Sequence, residues 1–148
     1  MNKRGLLYAA LFLFLPAMKL KLVQFIPVVI WFIIANILFL MPGPDVPNIG
    51  FLDKIYFDKW VHAGLFFGLT FLTAYPLIKV GRASKKLLII ISISFALYGV
   101  LIEFLQKYVA FERDFDVNDM IADAVGCVLA YIACRWLAQR IAEKNKPL

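Results

Sequence analysis

Residues 22–41 read LVQFIPVVIWFIIANILFLM, twenty residues in which only Gln24 and Asn36 are clearly polar. At about 1.5 Å rise per residue, such a helix reaches about 30 Å, the thickness of a bilayer's hydrocarbon layer. Three more apolar runs follow: Trp60–Leu77, Leu87–Leu105 and Met120–Leu137. The last has Asp123 near its start and Arg135 near its end, with no acid between Ala124 and Leu137. The chain is 63% hydrophobic over 148 residues, more than a soluble domain of that length would cover. A lone segment in lipid must satisfy its own backbone hydrogen bonds, which favours helix. The alternating polarity of a membrane β-barrel is absent.

The expected fold is therefore all-α: a polytopic membrane protein built as a small four-helix transmembrane bundle. One domain is expected over 22–140, after a short apolar and basic segment (1–21) and before a basic tail (141–148). Gly5–Met18 is apolar but only 14 residues long, between Lys3-Arg4 and Lys19-Leu20-Lys21. It is short for a span, and no small-residue cleavage site follows it. An extra interfacial or re-entrant N-terminal helix is expected there, or else a chain start at Met18.

Charge sets the expected orientation. With the N-terminus in the cytoplasm and four crossings, the inner side carries Lys3, Arg4, Lys19, Lys21, Lys79, Arg82, Lys85, Lys86, Arg135, Arg140, Lys144 and Lys146. Those twelve bases face one acid, Glu143. The outer side carries nine acids and only Lys54, Lys59, Lys107 and Arg113. Basic residues flank cytoplasmic membrane ends, so the net charge of +6 reads as topology. The chain is expected in the cytoplasmic (inner) membrane with both termini cytoplasmic. The partner it implies is the lipid bilayer, not nucleic acid. Cys127 and Cys134 stand seven residues apart, about 10 Å on a helix, beyond disulfide reach.

Three outer segments hold the candidate site. Asp58 and His62 open the second run at i and i+4, on one helical face, and His62 is the only histidine. Gly99, Glu103 and Gln106 share a face of the third, where an acid inside an apolar run is costly and rarely idle. Arg113, Asp116, Asp119, Asp123 and Gly126 trace one stripe if the chain is helical throughout. Gly99 and Gly126 are expected packing positions, since small residues let helices approach closely in lipid. Gathered acids repel, so some must be protonated, paired with Arg113 or His62, or neutralised by a cation. Carboxylates plus an imidazole could hold a divalent metal, although no His-x-x-x-His or Cys-x-x-Cys spacing marks one.

The motifs Asp58-Lys59-x-x-His62, Tyr98-Gly99-x-x-x-Glu103-x-x-Gln106 and Arg113-x-x-Asp116-x-x-Asp119-x-x-x-Asp123-x-x-Gly126 follow in order. Leu40-Met41-Pro42-Gly43-Pro44 precedes them. With these motifs the chain resembles the VanZ-like membrane proteins over roughly Phe25 to Leu137. It departs at Asp123, where that family often carries Asn. The family's namesake is linked to low-level resistance to teicoplanin, a lipoglycopeptide. The resemblance implies the fold and the site more than an activity.

Three functions compete. In the first, the outer site binds or modifies a cell-envelope ligand, lipid-linked or glycopeptide-like, and so affects (lipo)glycopeptide susceptibility. In the second, a membrane enzyme acts on a lipid-linked envelope substrate. His62 would then be acid or base held by Asp58, Glu103 or Asp119 a second carboxyl or metal ligand, and Arg113 the phosphate clamp. In the third, the polar residues only lock the helices together.

Overall fold

The computed structural model describes residues 20–42, 56–110 and 114–144. A 3₁₀ turn at Leu22–Phe25 leads into α1 (Ile26–Phe39), followed by α2 (Phe57–Lys79), α3 (Lys85–Val109) and α4 (Val117–Lys144). The 3₁₀ turn with α1, and each of the other three helices, are long and apolar enough to cross a membrane. The expected N-terminal interfacial helix lies outside the described residues.

The helices outrun the apolar stretches at both ends. α2 begins at Phe57 and takes in Asp58 and Lys59; α4 begins at Val117 and runs to Lys144. An apolar run stops at the first charge, but backbone hydrogen bonding continues wherever the charge finds a partner or water. The first span is shorter than expected and ends at Phe39. Pro27 stands in its first turn, where a missing N–H costs no helical bond.

The α2–α3 connection is written locally. Gly81 takes a φ of 71°, the left-handed conformation glycine adopts freely at a helix end. The N–H groups of Gly81 and Arg82 donate to the carbonyls of Ile78 (3.0 Å) and Leu77 (2.8 Å). Ser84 then caps α3, its hydroxyl accepting from the Leu87 N–H at 3.1 Å.

α2 is the central helix and packs most extensively on α4. The approach depends on Gly126, where a Cβ would run into the backbone carbonyl of Ala63. Two apolar clusters fill the bundle. Ala35, Phe39, Leu65, Phe66, Leu69, Ile102 and Cys127 lie toward the polar end. Ala74, Ile78, Leu88, Ile91 and Cys134 lie toward the basic end. Both cysteines are free and buried as packing residues. Isoleucines at 30, 33, 37, 90, 93, 121 and 132 stand exposed, a surface that lipid solvates and water does not.

α1 is peripheral and buries only Ala35 and Phe39. Specific bonds fasten it. Trp31 Nε1 donates to the Leu65 carbonyl at 3.0 Å, and its ring lies where a side chain on Gly68 would be. The Tyr98 hydroxyl donates to Asn36 Oδ1 at 2.7 Å. Tyr98→Phe should therefore lower stability by about 1 kcal/mol, a usual value for one interhelical hydrogen bond in a membrane. Reversible denaturation in mixed micelles measures it.

Candidate functional site

Two layers of polar side chains meet where α2, α3 and α4 come together at one end of the bundle. In the outer layer, Lys59 Nζ lies 2.9 Å from Asp58 Oδ2, 2.5 Å from Asp116 Oδ2 and 2.6 Å from Asp119 Oδ1. One ammonium thus gathers acids from two elements. Asp58 and Asp116 are open to solvent, with side chains 59% and 37% exposed, so this layer forms the rim.

Asp116 precedes α4 and does not continue its stripe. Its Oδ1 accepts from the Asn118 N–H at 2.8 Å, and its carbonyl accepts from the Asp119 N–H at 3.1 Å. The residue starts the helix, as an aspartate does well at that place. The Lys59 ammonium holds the Asp116 carboxyl below the usual carboxylate range, with help from the Asn118 N–H. A depressed carboxyl stabilises the fold above its unfolded pKa of about 3.9, and the gain vanishes as pH falls through the lower folded value. Asp116→Asn should hence be less stable than wild type at neutral pH, with the gap closing below about pH 4. Melting curves across that range test it.

The inner layer is buried. His62 is 4% exposed, and Glu103 and Asp123 are fully buried. His62 Nδ1 lies 3.0 Å from Asp123 Oδ1. A carboxylate only accepts, so the pair assigns the hydrogen to Nδ1 and turns Nε2 toward Asp119, 3.9 Å from its Oδ2. The Phe39 ring covers the imidazole at a centroid distance of 4.8 Å. Glu103 Oε2 accepts from the Asp116 N–H at 2.9 Å, tying α3 to the start of α4. Gln106 Nε2 donates to the Phe39 carbonyl at 3.0 Å and so satisfies an orphan acceptor at the end of α1.

Several expectations need correction. The partner of His62 is Asp123, across 61 residues of chain, and not Asp58. Asp58 shares a turn with His62 but points to Lys59. Gln106 uses its Nε2 on the end of α1, so it braces the site from there. Gly99 faces Asp123 directly: a Cβ there would sit 2.7 Å from Asp123 Oδ2. Arg113 lies outside the described residues. The side chain missing from the expected set is Lys59. It stood inside the first motif, three residues before His62 and thus on its face, the only base among the acids there.

Three buried oxygens in this layer have no hydrogen-bond partner among the described residues: Glu103 Oε1, Asp119 Oδ1 and Asp123 Oδ2. Asp119 Oδ1 has the Lys59 ammonium close by, an ion pair without hydrogen-bond geometry. Glu103 Oε1 and Asp123 Oδ2 have no cation assigned to them.

The model of the VanZ/LLP1 family matches residues 6–138. The chain belongs to the VanZ/LLP1 family. No curated protein and no solved structure matches it. In this VanZ chain Asp123 acts through an oxygen that accepts from His62 Nδ1–H, a role an amide oxygen could also fill. The motif residues sort by layer: His62, Glu103 and Asp123 inside, Asp58, Lys59 and Asp116 at the rim, with Asp119 between Lys59 and His62.

Proposed function

We propose that the chain binds or modifies a cell-envelope ligand at the outer face of the cytoplasmic membrane, with its termini cytoplasmic. The site is the two-layered polar cluster. The observation that carries this reading is the pair of buried carboxylate oxygens, Glu103 Oε1 and Asp123 Oδ2, that have no partner among the described residues. A network whose only task is to lock helices gains by satisfying every buried acceptor, since each orphan costs about 1–3 kcal/mol. Acceptors held in place without donors suit a ligand that supplies them.

An apolar groove between α3 and α4 supports a lipid-linked ligand. It is lined by Ala96, Leu97, Val100, Met120, Ile121 and Ala124, next to Asp119 and Asp123 in sequence. A ligand with its chain in that groove would carry its headgroup toward the rim. The expected orientation rests on the basic residues at the far end of the bundle.

One observation favours a second reading, an enzyme on a lipid-linked envelope substrate. His62 is oriented by Asp123 with Nε2 presented to the acids, the arrangement of an acid–base histidine. Water would be the nucleophile, since Cys127 takes the Thr70 hydroxyl as its partner in the apolar core.

The test pairs a phenotype with stability. A deletion strain with altered lipoglycopeptide susceptibility is complemented with Glu103→Gln, Asp119→Asn and His62→Ala, and each purified protein is melted. The reading expects Glu103→Gln and Asp119→Asn to melt close to wild type yet lose complementation. Retained complementation sinks it. Early melting with no separate loss assigns the cluster to structure. A graded loss fits binding, whereas complete loss in folded His62→Ala fits catalysis.

A further inference from the structure

The two layers differ in how their negative charge is met. The rim acids Asp58, Asp116 and Asp119 converge within reach of one metal ion, but the Lys59 ammonium already stands among them. In the inner group only Asp119 meets that ammonium, through Oδ1, and its Oδ2 lies on the His62 side. His62, Glu103 and Asp119 each offer a ligand atom, all within 4.8 Å of one another, and all three residues are buried. No lysine or arginine among the described residues pairs with Glu103. Its Oε1 is buried and unpartnered.

We propose that His62 Nε2, Glu103 and Asp119 are the protein ligands of a divalent transition-metal ion of the zinc or manganese kind. The proposal deepens the reading of this cluster as a ligand site. Two ligands on one tetrahedral ion lie about 3.4 Å apart, at about 2.0–2.2 Å from the metal each, so a set now within 4.8 Å closes by side-chain rotations that bring the atoms in by about 1 Å. An imidazole beside two carboxylates suits zinc or manganese, whereas magnesium and calcium favour oxygen alone. Asp123 is the positioning residue. It accepts from His62 Nδ1 at 3.0 Å, the contact that fixes tautomer and ring direction in metal-bound histidines. Glu103 is held from its other oxygen by the Asp116 N–H, which leaves Oε1 for the metal.

Three protein ligands leave coordination positions open to water or a ligand oxygen. This gives the headgroup a chemistry. An acidic cluster alone repels a phosphate or carboxylate, but a divalent ion between them reverses the sign. The ligand class is therefore an anionic headgroup on a lipid chain, bridged to the protein by the metal.

The experiment uses the full chain in nanodiscs, stripped with chelator and titrated with Zn²⁺, Mn²⁺, Co²⁺, Mg²⁺ and Ca²⁺. The expected result is uptake of one equivalent of a transition ion and a rise in melting temperature on loading. Glu103→Gln and Asp119→Asn should weaken uptake at least about tenfold, and Asp123→Asn about 10–100-fold or less as its amide oxygen substitutes. Asp123→Ala should weaken it more than Asp123→Asn does, and that rescue separates positioning from bulk stability. Pulsed EPR of bound Mn²⁺ should show nitrogen coupling that His62→Gln abolishes. If a variant fails to fold, the wild-type stoichiometry and nitrogen signal still decide. No stoichiometric transition-metal uptake, uptake of magnesium or calcium alone, or uptake unchanged in folded Glu103→Gln each overturns the assignment. If the wild type takes no metal but Asp119→Asn loses the phenotype, the metal falls and the ligand site stands. If metal binds but folded Glu103→Gln and Asp119→Asn complement fully, the assignment stands and the proposed function falls.

Discussion

Gly126→Val should cost at least about 3 kcal/mol and leave most of the chain unassembled in detergent. Overpacking usually costs less because a neighbouring side chain rotates away. Here the atom in the way is the backbone carbonyl of Ala63, with Phe67 N behind it, and neither has a rotamer to change. Relief can come only by moving α2 away from α4, the most extensive contact in the bundle. That shift also pulls His62 from Asp123, so the apolar seam and the polar site fail together. Gly64→Ala is the control. Nothing lies within 4 Å of a Cβ there, and alanine is the better helix former, so it should be neutral or slightly stabilising. Size-exclusion profiles and melting of the three proteins make the comparison.

The second large effect is expected at the buried pair. His62→Ala leaves the Asp123 carboxyl enclosed with neither oxygen bonded, and breaking such a pair from one side costs about 3–5 kcal/mol. Asp123→Ala should be milder, about 1–3 kcal/mol, because the imidazole it strands can remain neutral. The double variant removes both halves, so its cost should fall short of the sum by about 2 kcal/mol. With chelator present throughout, the cycle reports side chains alone. Strict additivity would mean that the two residues do not interact in the folded protein.

Much of this was legible in the sequence because lipid imposes simple rules. Runs near 20 apolar residues gave four helices, and Glu103 inside such a run marked a costly buried acid before any contact was known. The spacing of Gly99, Glu103 and Gln106 placed them correctly on one buried face. What spacing could not give was the choice between partners on different helices. Asp58 and His62 share a face by helical arithmetic, yet the α2–α4 crossing brings Asp123 nearer. Gln106 looked like a site residue, but its task follows from where α1 ends, which no motif encodes. Lys59 was hidden by its place at a helix start, where a single base looks like an ordinary interfacial anchor. The unpartnered oxygens are invisible in a sequence altogether, because an orphan is defined by everything that fails to reach it.

The pairing of His62 with Asp123 also sets a schedule. A membrane chain is made from its N-terminus, so α2 with Lys59 and His62 enters the bilayer before α4 exists. The positive and neutral partners are in place first, and Asp116, Asp119 and Asp123 arrive last, beside groups ready to receive them. A nascent chain halted before Val117 has three of the described helices and, of the inner layer, only His62 and Glu103. The last of the four described helices is therefore the one that completes the site.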